Sequence, residues 1–284
     1  MTRTTAPRRI HRLAPLAVLG LLAAFIVAPA PVAATDTMTV SQAELAMVNA
    51  LNADRTAVGL VPVQVDARLM SIARARSADM VAKDYFSHTQ PDGRNVFNIL
   101  NSAGIKWYNA GEIIALNNYA TLEQSVAGAN SQWMNSSGHK AIIVSNSMNY
   151  VGVGLAIAGS GKKVWTAVYI KGPDRTGAKA TAAKPVVSSG TTSTSKRVTV
   201  SWSGADVRLQ VLTSGLYSFK VERRTDGGAW TTVSASTTGR SMTLSLSTSH
   251  TYDFRVTARD VAGNWGTPSI VTQVLPRTLL SARG

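Results

Sequence analysis

The 284-residue chain contains no cysteine. That excludes a disulfide scaffold, thiolate metal sites, a thiol nucleophile and a lipid-modified N-terminal cysteine. Acidic residues are scarce as well, with 15 Asp and Glu against 29 Lys and Arg, for a formal charge of +14. The H-E-x-x-H pattern of zinc-protease helices does not occur, and no serine carries a clear base partner in a motif. What is present is 45% hydrophobic residues, enough to build cores, over a length that suits one to three domains.

The first 34 residues have the layout of an export signal. Arg3, Arg8, Arg9 and Arg12 precede an uncharged apolar run from Leu13 to Ala28, and Val32-Ala33-Ala34 offers small residues before Thr35. The run is shorter than the roughly 20 residues of a spanning helix, and no later segment is apolar enough to span. Residues 1–34 are therefore expected to be a signal peptide, with no membrane span after its removal and an extracellular destination.

Positive charge is unevenly placed. Residues 35–170 hold 10 basic and 9 acidic side chains, whereas residues 171–284 hold 15 basic and 6 acidic ones. A basic C-terminal part favours encounters with polyanions, and outside a cell these are anionic wall polymers or lipid rather than a specific nucleic acid.

Between Tyr169 and Trp202 there is no aromatic residue, and the stretch is dominated by Gly, Ala, Ser, Thr, Lys and Pro. This composition reads as a connection between two modules that fold separately. The expected organisation is a first module over 41–171, a linker over 172–182, a second module over 183–276 and a tail over 277–284.

In the first module, Ser41 and Glu44 have the spacing of a capping box, followed by Leu45, Val48 and Leu51 at helical spacing up to Gly59. Asp66 opens a second helix, Val96–Leu100 a short third one stopped by Gly104, and Thr121 a fourth carrying Leu122, Val126, Ala129 and Trp133 on one face. The period then becomes two. Val151, Val153, Leu155 and Ile157 alternate with small residues, and 164–170 returns after the turn at 159–162. Helices with an antiparallel hairpin indicate an α+β domain. Trp133, Trp165 and Phe86 are expected in its core, and Asn52 and Arg55, on one helix face, are expected to tie helices to loops.

The residues with chemical potential are His88, just before the turn Gln90-Pro91-Asp92-Gly93, His139, and Glu112 at the start of an apolar strand-like run. Two imidazoles and a carboxylate could hold a divalent ion such as zinc or magnesium, or act as a proton-transfer set.

Several motifs carry a resemblance. Asn52-Ala53-Asp54-Arg55, Gly59-Leu60, Asp79-Met80, Phe86-Ser87-His88, Pro91-Asp92-Gly93, Ala110-Gly111-Glu112, 133–139 and Val151-Gly152-Val153-Gly154 together resemble the CAP superfamily of cysteine-rich secretory, antigen 5 and pathogenesis-related proteins, in its cysteine-free bacterial form. The resemblance implies a three-layer α-β-α sandwich with a central cleft in which His88, Glu112 and His139 are the candidate catalytic and metal-binding residues. Departures are visible too. The family's Gly-Glu-Asn-Ile reads Gly111-Glu112-Ile113-Ile114, its Ser-Pro-Gly-His-Arg reads Ser136-Ser137-Gly138-His139-Lys140, and its strand Thr-Gln reads Thr166-Ala167. The first of these removes an amide that normally supports the glutamate. Glu123, near a helix start, is assigned to the helix dipole rather than to a second cleft carboxylate.

The second module alternates through Val198, Val200, Trp202, then Tyr217, Phe219, Val221, Met242, Leu244, Leu246, then Tyr252, Phe254, Val256, and finally Ile270 to Val274, with a hairpin turn at Asp226-Gly227-Gly228. This is an all-β sandwich pattern, and it resembles a fibronectin type III-like domain with Tyr252 as the corner tyrosine. His250 is expected to be an exposed turn residue. The function that follows is a secreted binding or cell-wall-associated factor. The alternative is a metal-assisted, peptidase-like hydrolase using the same cleft.

Overall fold

The computed structural model describes residues 1–2, 37–189, 192 and 194–276. The expected signal peptide, apart from its first two residues, and the expected tail over 277–284 lie outside the described residues.

The chain runs α1 (Val40–Ala57), β1 (Gln64–Val65), α2 (Ala67–Ala82), α3 (Val96–Ser102), β2 (Asn109–Asn117), α4 (Leu122–Asn135), α5 (Ser137–Ile143), β3 (Tyr150–Ile157) and β4 (Lys163–Lys171). The four strands form one sheet in the order β1-β3-β4-β2, parallel only between β1 and β3. Alternation along the strands splits the core into two layers. Val151, Val153, Leu155, Trp165 and Tyr169 meet Met47, Leu51, Ala129 and Trp133 of α1 and α4. Tyr150, Val168 and Ile170 meet Leu69, Ile72, Val96 and Leu100 of α2 and α3. The module is thus an α-β-α sandwich. Gly152 and Gly154 are what let α2 lie so close. A Cβ on either would collide with the α2 backbone, at Leu69 and at Arg74 respectively.

Helix starts follow side-chain capping, with one correction. The α1 box is made by Thr39 and Gln42, not Ser41 and Glu44. Glu44 is buried instead, bound by Arg74 and by the Leu155 amide, so tertiary pairing outcompetes the local cap. Asn95 with Asn98 and Thr121 with Gln124 make true boxes at α3 and α4. Trp133 and Trp165 are fully buried, but Phe86 is 47% exposed and is not core. Asn52 clasps both backbone groups of Val63, and Arg55 donates to the carbonyls of Val61, Ile143, Ser145 and Met148.

The second module is built from β5 (Lys179–Ala182), β6 (Val186–Ser189), β7 (Ser195–Ala205), β8 (Leu216–Thr225), β9 (Thr231–Thr237), β10 (Ser241–Ser247), β11 (His250–Asp260) and β12 (Ser269–Leu275). One sheet has the order β10-β7-β5 with β6 also on β7, and the other β12-β11-β8-β9. Val198, Val200 and Trp202 face Phe219, Val221, Phe254 and Val256 across the sandwich. Tyr252 Oη donates to the Ser247 carbonyl at 3.1 Å, as a corner tyrosine does. His250 is not an isolated turn residue. It begins β11 and its Nδ1 lies 2.6 Å from Asp226.

Residues 172–182 do not behave as a free linker. Gly172 pairs with the Asn149 side chain, Asp174 and Ala178 are buried, and β5 joins the sandwich. Backbone pairing needs no large side chains, which is why a Gly-, Ala- and Thr-rich composition conceals it. The two expected modules also pack against each other. Leu209, from the β7–β8 connection, is buried in the first module's core beside Leu69 and Ile72. Gln210 accepts from the Val61 amide, Asn149 donates to the Val211 carbonyl, and Arg175 pairs with Asp66 at 2.7 Å. The described residues from 37 to 276 accordingly belong to one compact unit.

Candidate functional site

Three elements deliver the expected cleft residues. Glu112 stands on β2 opposite Val168 of β4, with Gly111 beneath the Ile142 side chain of α5. His88 comes from the loop after α2, and His139 from α5. His88 Nδ1 lies 2.8 Å from Glu112 Oε2, so Nδ1 is the ring nitrogen engaged by the carboxylate and Nε2 is the one left for other partners. The His88 side chain is 53% exposed and Glu112 only 3%, so the imidazole is the accessible member of the pair. His139 is half-buried. Burial, and then the charge of His88 nearby, hold its imidazole below the ordinary value, so it favours the neutral form. His88 and Glu112 are therefore in direct contact, and His139 is linked to them through the charge of His88 that its imidazole senses.

The structure adds a residue that sequence reasoning missed. Arg76, 1% exposed, donates from Nε to Glu112 Oε1 at 2.8 Å, and Nη2 lies 3.4 Å from Oε2. Its remaining donors reach Tyr85 Oη at 2.8 Å and the carbonyls of Ser87 and His88 at 2.9 and 3.2 Å. Burial works against the guanidinium, but the bond to Glu112 and that carboxylate's charge outweigh it and raise Arg76 above its ordinary value. Glu112 is thus held by a guanidinium from α2, while Ile113, on the opposite face of β2, goes into the core. A signal was available. Arg76 falls on the stripe Leu69, Ile72, Ala73, Met80 that faces inward, and a charge on such a stripe needs a partner.

Beyond Arg76 the polar chain continues outward. Tyr85 Oη donates to Asp79 Oδ2 at 2.6 Å, Gln90 Nε2 to the same oxygen at 2.9 Å, and Lys83 pairs with Oδ1 at 2.6 Å. The bonds from Lys83 and Tyr85 hold Asp79 well below the usual carboxylate range. Burial and the bond to Asp79 push the Tyr85 phenol up. Glu123 lies elsewhere, at the start of α4, where it accepts from Thr37 Oγ1.

A second acidic group sits at the junction of the two modules. Among the described residues, Asp174, Asp206 and Asp260 form the cluster in which one oxygen from each lies within 4.8 Å of the others, and His88, Glu112 and His139 do not form such a set. Their oxygens accept from the backbone amides of Thr176, Ser214, Val207, Gly215 and Asn264.

Residues 48–169 match the CAP family, described as the cysteine-rich secretory protein family. Residues 48–169 therefore form a CAP domain, and bacterial proteins are among its relatives. "Uncharacterized protein YkwD" of Bacillus subtilis (strain 168) is 38% identical over 148 residues, covering 50% of this chain and 54% of that protein. "Uncharacterized membrane protein YlbC" of the same organism is 29% identical over 120 residues, 42% of this chain and 32% of that one. The chain thus spans about half and about a third of the lengths of these two proteins. Among solved structures, an extracellular protein containing a SCP domain from Bacillus anthracis str. Ames superposes with a TM-score of 0.39 at 23% identity, over 46% of this chain and 41% of that one. The 6th fibronectin type III domain from a human fibronectin type III domain containing protein superposes with a TM-score of 0.26 at 24% identity, over 40% of this chain and 94% of that domain. The three-layer sandwich and the two-sheet sandwich described above define the folds. Among the described residues, no helix is long and apolar enough to cross a membrane.

Proposed function

We propose that the chain is an extracellular CAP-domain factor that binds rather than cleaves, held near the cell wall through its basic β-sandwich. One observation carries the choice of binding over metal-assisted hydrolysis: both oxygens of Glu112 already accept from buried Arg76, and one of them from His88 as well. A carboxylate closed by a guanidinium is a poor ligand for a further cation and a poor base for water. The zinc or magnesium set of two histidines and Glu112 therefore does not fit these residues, and no chemical step is assigned to a metal. His88 Nε2 and His139 remain as polar groups that can receive a hydrogen-bond donor or an acid from a ligand.

The export-signal layout of residues 1–34 supports an extracellular location. The excess of 15 basic over 6 acidic residues after residue 170 supports an anionic wall polymer or lipid as the partner of the second module. The hydrolase reading keeps one observation in its favour. A half-exposed imidazole oriented by a buried carboxylate is the arrangement of a general base. One experiment separates the two: incubate the full chain with purified wall material, then measure the bound fraction and the soluble fragments released. Retention that falls with salt, without fragments, is the expected result. Fragment release that disappears in His88→Ala assigns the hydrolase instead.

A further inference from the structure

We infer that a trough centred on Trp265, running from the module junction onto the outer face of the second sheet, is a binding site for a linear acidic polysaccharide. The proposal rests on the reading that the second module holds an anionic wall polymer, and it says where and by what chemistry. Two concavities meet at this indole. One, of about 1180 Å³, opens between β1 with the start of α2 and the segments 175–181 and 265–269. The other, of about 440 Å³, lies over β8 and β11. Trp265 and Pro268 line both, so the two concavities adjoin at these side chains. A single small ligand occupies roughly 300–1,000 Å³. The combined trough suits a chain of several rings.

Its chemistry is an aromatic face among surplus cations. Trp265 is 44% exposed and has the Arg259 guanidinium 5.5 Å from its ring centroid. Arg259 otherwise donates to the Gly263 carbonyl and has no carboxylate partner among the described residues. Lys179, also on the trough, is exposed and likewise has none among the described residues. Arg68 and Arg175 share the single carboxylate of Asp66, and Lys220 and Arg255 share that of Glu222. Six cations thus answer to two carboxylates. The nearby Asp174, Asp206 and Asp260 are buried or half-buried and turned onto N–H donors. The apolar C–H face of a pyranose packs on an indole, while its acid groups are met by guanidinium and ammonium donors. The floor is fixed in advance. A Cβ on Gly266 would collide with the Ala178 carbonyl, and the Gly266 amide donates to Ala258 at 3.0 Å. Such preorganisation lowers the ordering cost of binding. Single-stranded nucleic acid is the poorer fit, because it stacks on successive aromatic rings. Trp230, the other indole of this module's Arg-rich face, is already covered by Arg224 and Arg255 at 4.8 and 4.5 Å.

The test uses the full chain with polygalacturonate as the acidic polysaccharide, dextran as the neutral one, and single-stranded DNA of matched charge. Binding is followed by tryptophan fluorescence and calorimetry at low salt. Polygalacturonate should bind and dextran should not. Trp265→Ala should weaken binding about tenfold or more, as a central aromatic anchor does, and Trp265→Phe should restore most of it. The double variant Lys184→Gln with Arg197→Gln removes two exposed cations of the same module outside the trough and should change binding less than about threefold. Melting curves for each variant identify any that fail to fold, and Arg259→Gln then replaces Trp265→Ala as the trough variant. If the two sets of variants weaken binding equally, the trough is refuted while the general wall-tethering reading stands. If polygalacturonate does not bind but wall material does, the trough is again refuted alone. If neither binds, both readings fall. Tighter binding of DNA, lost in Trp265→Ala, gives the trough to a different ligand and overturns the proposal.

Discussion

The cleft of the first module and the junction between the modules are both polar, yet they settle their charges in opposite ways. In the cleft, Arg76 and Glu112 are 1% and 3% exposed and satisfy each other, with the leftover guanidinium donors consumed by Tyr85 and two carbonyls. At the junction, Asp66 is shared by Arg68 and Arg175, whose side chains are 50% and 22% exposed. A closed buried pair fixes geometry and leaves little charge for a partner. An open, cation-rich surface does the reverse, contributing little to stability and much to encounter with anions. On the proposed reading, the cleft supplies rigidity, with His88 as its accessible tip, and the second module and its border supply recruitment.

The largest expected effect breaks the cleft's closed pair. Arg76→Leu strands Glu112 in the core and should cost about 3–5 kcal/mol in urea unfolding, because a buried carboxylate loses the guanidinium paired with it. A cost below about 1 kcal/mol would mean that water reaches Glu112 and the pair is open like the junction. Next comes the junction's apolar pin. Leu209→Ala should cost about 2–4 kcal/mol by leaving a cavity between α2 and α3, and should split a single unfolding transition into two. An unsplit transition with an unchanged midpoint would show that the modules are coupled elsewhere. Arg175→Gln, which removes only a partly exposed partner of Asp66, should cost about 1 kcal/mol or less.

The smallest effects sharpen the contrast through pH. Both regions contain a group held below its ordinary value, so in both the unfolded chain binds protons more readily and stability falls as pH falls. For His139, lowered by burial and by His88, the loss begins as pH drops below about 6.5 and continues to its depressed folded value. For Asp66, burial opposes the charge, but bonds from Arg68 and Arg175 prevail and lower it, so the loss begins only below about 3.8. His139→Gln should flatten the near-neutral limb of the stability profile and leave the acid limb intact. Asp66→Asn should do the opposite. Overlapping changes in the two variants would show that cleft and junction titrate as one network.

How much of this was legible follows from the same contrast. His88, Glu112 and His139 could be nominated because their side-chain types announce chemistry and recur in an ordered set of motifs. The Val151-Gly152-Val153-Gly154 strand was legible by its period of two, though the reason for its glycines, the close approach of α2, needed coordinates. Arg76 was hidden among other arginines of its helix, and only its position on the apolar stripe distinguishes it from solvent-facing Arg74. The junction was hidden more thoroughly. Gly177, Ala178 and Gly266 make it by backbone approach, and Leu209 reaches it from a loop with no periodic signal. Phe86 misled because an aromatic beside a histidine motif was assigned to the core on residue type alone.

The central claim is that Glu112 is already occupied from within, so that the cleft does not hold a divalent ion through it. The most direct test is calorimetric titration of metal-free full chain with zinc, alongside Glu112→Gln and the double variant His88→Ala with His139→Ala. The account predicts at most weak binding that depends on the histidines and is unchanged in Glu112→Gln. Tight one-to-one zinc binding that is lost in Glu112→Gln would contradict it.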